Sequence, residues 1–154
     1  MCCYDKNNAD FEMQGEIISS FFDGIFNELT NIRQEINSTS LTENNLYSIL
    51  FRLSGPTRQI YSICRGILLL EPGFQYLTKE MLFLSDVLDE VKRQFYTRGS
   101  QEYETPEIDL CLRSSEICAT AIGLCYVNPL FCSLARSICL LTKIVCIIIP
   151  PLKQ

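Results

Sequence analysis

Between residues 111 and 146 the chain places Cys111, Cys118, Cys125, Cys132, Cys139 and Cys146, one cysteine every seven residues, six times running. A period of seven is close to two turns of an α-helix, so each cysteine returns to nearly the same face. The residue before each cysteine after the first is large and apolar: Ile117, Leu124, Phe131, Ile138 and Val145. The residue three after each of the first five is Ser114, Ala121, Asn128, Ala135 or Thr142. One face therefore carries thiols and small side chains beside an apolar ridge. Small residues let two helix backbones approach closely.

Seven residues rise about 10.5 Å along a helix. Neighbouring cysteines on one helix are then too far apart for a disulfide, which needs Cα atoms within about 7 Å. A shared metal ion cannot bridge them either. Any chemistry must come from cysteines on two facing helices. Asn128-Pro129 sits at the midpoint of the ladder; Asn is a good helix cap and Pro a good first residue. A turn there makes an antiparallel hairpin that sets Cys125 opposite Cys132, Cys118 opposite Cys139 and Cys111 opposite Cys146. Three readings follow. Buried cysteine is the usual fate of the residue, so a packing seam comes first. Level thiol pairs also suit Cu(I), a soft ion that takes thiolates, with the six ladder cysteines as its ligands. In an oxidising setting they become stapling disulfides.

The remaining chain has helical periodicity. Ile18, Phe22, Ile25, Leu29, Ile32 and Ile36 step by three and four, widened by Phe21 and Phe26. This predicts a helix from about residue 10 to Asn37. Thr42 is placed to cap a second helix that ends at Ser54-Gly55-Pro56, with a third beginning at Pro56 and carrying Ile60, Ile63, Cys64 and Ile67; a single helix kinked at Pro56 is the alternative. Leu77, Met81, Leu84, Leu88, Val91 and Phe95 form another ladder, from about Phe74 to Thr97. Pro106, Glu107 and Asp109 suit the opening of the next helix. No alternating β-branched run stands between turn signals. The expected fold is all-α, a bundle of five or six helices with a cysteine-lined C-terminal hairpin. Residues 1–9 are read as a flexible N-terminal segment, 10–149 as one helical-bundle domain and 150–154 as a tail.

Charge narrows the partners. The net charge is −5, yet the chain after Glu116 has no acidic residue and carries Arg136, Lys143 and Lys153. The acidic body argues against nucleic acid, whose phosphates need Lys and Arg. The basic, apolar tail tolerates an anionic membrane surface. Residues 130–149 are long enough to span a bilayer, but Arg136 and Lys143 inside them each cost about 2.5–3.5 kcal/mol near its centre. A core helix or an interfacial helix fits better. Cys2 and Cys3 are candidates for acylation, which with two chains makes a stable anchor.

Catalytic signatures are missing. There is no His, so no imidazole base or ligand. There is no phosphate-binding glycine loop. Glu102 and Glu104 sit in a polar linker. Asp86, Asp89 and Glu90 read as a wet face near Lys92 and Arg93. Cys64 falls on an apolar face with no base to activate it. With no apolar signal region after Met1, the expected location is the cytoplasm, peripheral on membranes, with most thiols free. The expected function is non-enzymatic: binding another protein through an amphipathic helix or groove, without a cofactor. The alternative is a thiol-based Cu(I)-binding or redox protein.

Overall fold

The computed structural model describes residue 20 and residues 22–38, 42–98 and 110–153. For residues 43, 95–98 and 150–153 the backbone alone is described. The expectations for Cys2 and Cys3, Ile18, Phe21, Glu102, Glu104 and the Pro106 helix start lie outside the described residues. Five α-helices follow in order, with no strand among the described residues: α1 (residues 22–38), α2 (Glu43–Leu68), α3 (Gln75–Arg98), α4 (Leu110–Val127) and α5 (Cys132–Lys153). Short 3-10 turns, Pro72–Phe74 and Pro129–Phe131, lead into α3 and α5. The fold is all-α, as the periodicity predicts.

The apolar ladders form the core. Phe22, Ile25, Leu29, Ile32 and Ile36 of α1 are buried, as are Leu77, Met81, Leu84, Leu88 and Val91 of α3. Leu134, Ile138, Leu141, Val145 and Ile148 run the length of α5 and are buried too. Arg136, on the outer side of α5, lies 4.0 Å above the Phe26 ring and pairs with Asp23 at 3.0 Å. One of the two charges inside the apolar tail is thus held against α1.

Asn45 donates its backbone N–H to the Thr42 hydroxyl at 3.4 Å, so Thr42 caps α2 as expected. The break at Pro56 is absent, and the single-helix alternative is the one that forms: α2 continues through Pro56. Proline removes one helical hydrogen bond, but burial recovers the difference. Thr57 is fully buried and donates to the Leu53 carbonyl at 2.7 Å, while Leu53 and Ile60 pack into the core on either side. Tertiary packing here overrides local propensity.

Two of the helical segments, Leu110–Val127 and Pro129–Ile149, are long and apolar enough to cross a membrane by length and composition. They differ sharply in cover. Of the first, 22% is buried; of the second, 61%. α5 is a core helix, and α4 lies outside it.

Candidate functional site

The ladder is built around a capped turn. Asn128 is extended and accepts the Leu130 N–H on its side chain at 3.1 Å. The Phe131 N–H donates to the Asn128 carbonyl at 3.0 Å. Pro129 then stands at the start of the 3-10 turn, where its missing N–H costs nothing. The chain reverses there, and α4 returns along α5.

The consequence is the pairing that the midpoint symmetry predicts. Cys111 is disulfide-bonded to Cys146, Cys118 to Cys139 and Cys125 to Cys132. The Cα–Cα distances are 4.9, 4.7 and 4.5 Å from the open end to the turn. The rungs are level and nearly equal, so the two helices run side by side without splaying. Close approach requires small neighbours, and Ser114, Ala121, Ala135 and Thr142 are all buried beside the rungs.

The expectation of a buried packing seam with most thiols free needs correction. All six ladder cysteines are half-buried, and the buried stripe lies one step around each helix. On α4 that stripe is only Leu110, Ser114, Ile117 and Ala121. The physical reason is the small size of this stripe: it draws the backbones together, and the cysteines then meet at its edge. Cys64 alone is a free thiol among the described residues, and it is buried. Desolvation pushes it up to about 12, so it stays protonated and inert, in keeping with the structural role expected for it.

Along one side of the ladder lies a groove of about 450 Å³. Its floor is formed by the Cys111–Cys146 and Cys118–Cys139 rungs, with Ser114, Ser115 and Thr142 beside them and Lys143 and Ile147 completing the lining. Cys125 and Cys132 are not part of it. The Ser114 hydroxyl is buried and has no hydrogen-bond partner among the described residues. Thr142 by contrast donates to the Cys139 carbonyl at 3.1 Å. No cluster of three or more His, Cys, Asp or Glu is arranged to hold a metal ion among the described residues. A soft ion would therefore have two thiolates per rung, after reduction.

The outward face of α4 is the second feature. Leu112 is 60% exposed, Ile122 42%, Tyr126 86% and Val127 82%. Ser115, Ala119 and Gly123, four residues apart, are also exposed and share one side of the helix. A Cβ added at Gly123 would meet nothing within 4 Å, so nothing in the chain itself demands glycine there. The turn end of α4 meets the start of α3: Phe74 and Phe131 stack edge-on at 4.7 Å, and a Cβ at Gly73 would sit 3.4 Å from Leu124. Leu69 and Leu70, just before that contact, are exposed as well. Arg113 anchors the first turn of α4 to α3, forking onto Glu80 at 2.5 and 3.0 Å and lying 3.5 Å over the Phe83 ring.

The acidic groups expected on a wet face are placed there. Asp89 meets Arg58 at 2.9 Å and Lys92 at 3.3 Å, and Glu90 pairs with Arg93. Sequence reasoning identified the rungs but missed the groove and the exposed small-residue row; the absence of large side chains at 115, 119 and 123 is the signal that carries the latter. No family model, curated protein or solved structure matches the chain.

Proposed function

We propose that this is a non-enzymatic helical-bundle protein that acts by binding another protein, and that the outward face of α4 is the surface it uses. The observation that carries this reading is an apolar helix left uncovered: α4 is fit by composition for a membrane or a core, yet 22% of it is buried. Exposed large apolar side chains grouped on one element mark interaction surfaces. The row Ser115, Ala119, Gly123 lets a second helix approach closely, while Leu112, Ile122 and Tyr126 supply apolar area around it. The matching partner is an amphipathic helix; where the rungs are closed they also hold α4 rigid for it, which lowers the ordering cost of association.

The proposed location is the cytoplasm, peripheral on membranes through the basic tail and Cys2-Cys3. In a reducing cytoplasm the six ladder cysteines would persist as facing thiols, and in an oxidising compartment as disulfides. The second reading, thiol-based Cu(I) or redox chemistry on Cys111, Cys118, Cys125, Cys132, Cys139 and Cys146, is favoured by the level rungs. Each reduced pair would present two soft thiolates to one Cu(I).

A photo-crosslinker at position 122 in cells should capture a discrete protein partner. Gly123→Leu and Tyr126→Asp leave the buried stripe intact and should remove the crosslink without changing the helical circular dichroism. A crosslink that survives both substitutions sinks this reading. Vesicle binding that survives them locates membrane contact elsewhere in the chain.

A further inference from the structure

We infer that the groove beside the ladder is a thiol–disulfide exchange site for a small acidic thiol, and that Cys111–Cys146 and Cys118–Cys139 are its reactive rungs while Cys125–Cys132 is structural. The inference rests on the thiol reading of the ladder, and the groove shares only Ser115 with the α4 face proposed for a partner.

Two observations converge. First, the groove exposes two of the three disulfides: their four cysteines line it, and Cys125 and Cys132 do not. Cys125 instead packs against the core near the turn. Access to sulfur governs exchange, so the rungs are unequal. Second, Lys143 lines the same groove from α5, four residues after Cys139 and three before Cys146. Those spacings place its ammonium on the helix face of both cysteines. It is exposed, and no described carboxylate pairs with it. A neighbouring cation stabilises a thiolate and attracts an anionic reactant.

The chemistry is a balanced exchange. The incoming thiol loses its proton to solvent, and its thiolate attacks one sulfur of a rung. A new S–S bond forms as the rung's S–S bond breaks, and the other cysteine leaves as a thiolate beside Lys143. A second thiol of the same class attacks the mixed disulfide through its own sulfur. The products are one oxidised dimer of the small thiol and two reduced cysteines, a transfer of two electrons. A volume of about 450 Å³ admits a tripeptide-sized thiol.

Oxidised full-length protein is exposed to reduced glutathione, which carries carboxylates, and in parallel to 2-mercaptoethanol, which does not. Samples are quenched with acid over time, alkylated and mapped by mass spectrometry. With glutathione, mixed disulfides at Cys111, Cys118, Cys139 or Cys146 should form before any at Cys125 or Cys132. Lys143→Gln should slow the glutathione reaction about fivefold, the scale of one exposed ion pair, and slow 2-mercaptoethanol less. Equal rates at all three rungs overturn the inference. So does a Lys143→Gln protein that reacts as fast as the parent, and equal slowing with both thiols overturns the assignment to an acidic thiol. Cu(I) uptake by the fully reduced protein is measured separately and tests the wider thiol reading: uptake with equal rung rates retires the groove alone.

Discussion

The α2–α3 pair and the α4–α5 hairpin are both antiparallel helix pairs, but they hold together by different means. α2 and α3 bury apolar side chains on nearly every turn, including Leu46, Ile49, Leu50, Leu53 and Ile60 against Leu77, Met81, Leu84, Leu88 and Val91. The one cysteine there, Cys64, remains a buried thiol. α4 contributes four buried side chains, of which Ser114 and Ala121 have little apolar area to offer. At roughly 25 cal/mol per Å² of apolar surface, such a stripe adds little. Three covalent rungs stand where packing is thin. The comparison teaches that the ladder compensates for a helix whose apolar residues face outward, and that α4 is kept in place without being covered.

The largest expected effect tests the packed half. Leu84 is 1% exposed, so Leu84→Ala should cost about 2–5 kcal/mol, measured by denaturant unfolding of the oxidised protein. Leu112→Ala on the outer face of α4 should change stability by less than about 0.5 kcal/mol. A Leu112 effect as large as that of Leu84 would erase the distinction between the pairs.

The next effect tests the stapled half. Removing the outermost rung with Cys111→Ala and Cys146→Ala together frees the open end of the hairpin. The rung closes a separation of 35 residues, but the inner rungs already constrain most of it. The expected cost is about 3 kcal/mol. Hydrogen exchange should show α4 amides losing protection while α2 and α3 keep theirs. Simultaneous loss in both pairs would mean that the hairpin and the packed pair unfold as one unit.

A third effect concerns a polar strap between the halves, from Arg113 on α4 to Glu80 on α3. Arg113→Ala removes both bonds to Glu80 and the stacking over Phe83. The expected cost is about 1 kcal/mol, because the Arg113 side chain is still 30% exposed. Double-mutant analysis with Glu80→Gln should recover most of that as coupling.

How far the sequence reached follows the same division. The rung pairs were legible because two signals agreed, a seven-residue period and an Asn-Pro cap at its midpoint. The core residues were legible from three-four spacing, which records burial directly. At Pro56 the sequence left two readings, a break or one helix, and the favoured break did not form: a proline signal is local, whereas Leu53, Thr57 and Ile60 hold the helix continuous through long-range packing. That the thiols lie at the edge of the seam, half-buried, was hidden as well. A period tells which residues share a face, but not whether that face is the buried one. The groove and the contact of Phe74 with Phe131 depend on where two distant turns meet, and no spacing within one helix encodes that.

The smallest expected effect is electrostatic and belongs to the packed pair. Asp89 on α3 accepts from Arg58 on α2 at 2.9 Å, with Lys92 one turn along. Burial alone would raise its carboxyl, but hydrogen bonds and attraction from Arg58 and Lys92 outweigh that and hold it below its ordinary value of 3.8. The folded state therefore prefers the ionised form. Its contribution is fully present above the ordinary carboxylate value and is lost as pH falls through the depressed folded value. The side chain is 39% exposed, so screening limits the contribution to about 0.3 kcal/mol. Asp89→Asn should match the parent below that range and fall slightly behind it at pH 5 to 7. Stability measured across pH 2 to 7 for both proteins checks the sign. A variant that is less stable only at the acidic end would reverse it and show that burial, not pairing, dominates at Asp89. An equal gap at every pH would locate the loss in the altered amide and not in charge, leaving the α2–α3 pair held by packing alone.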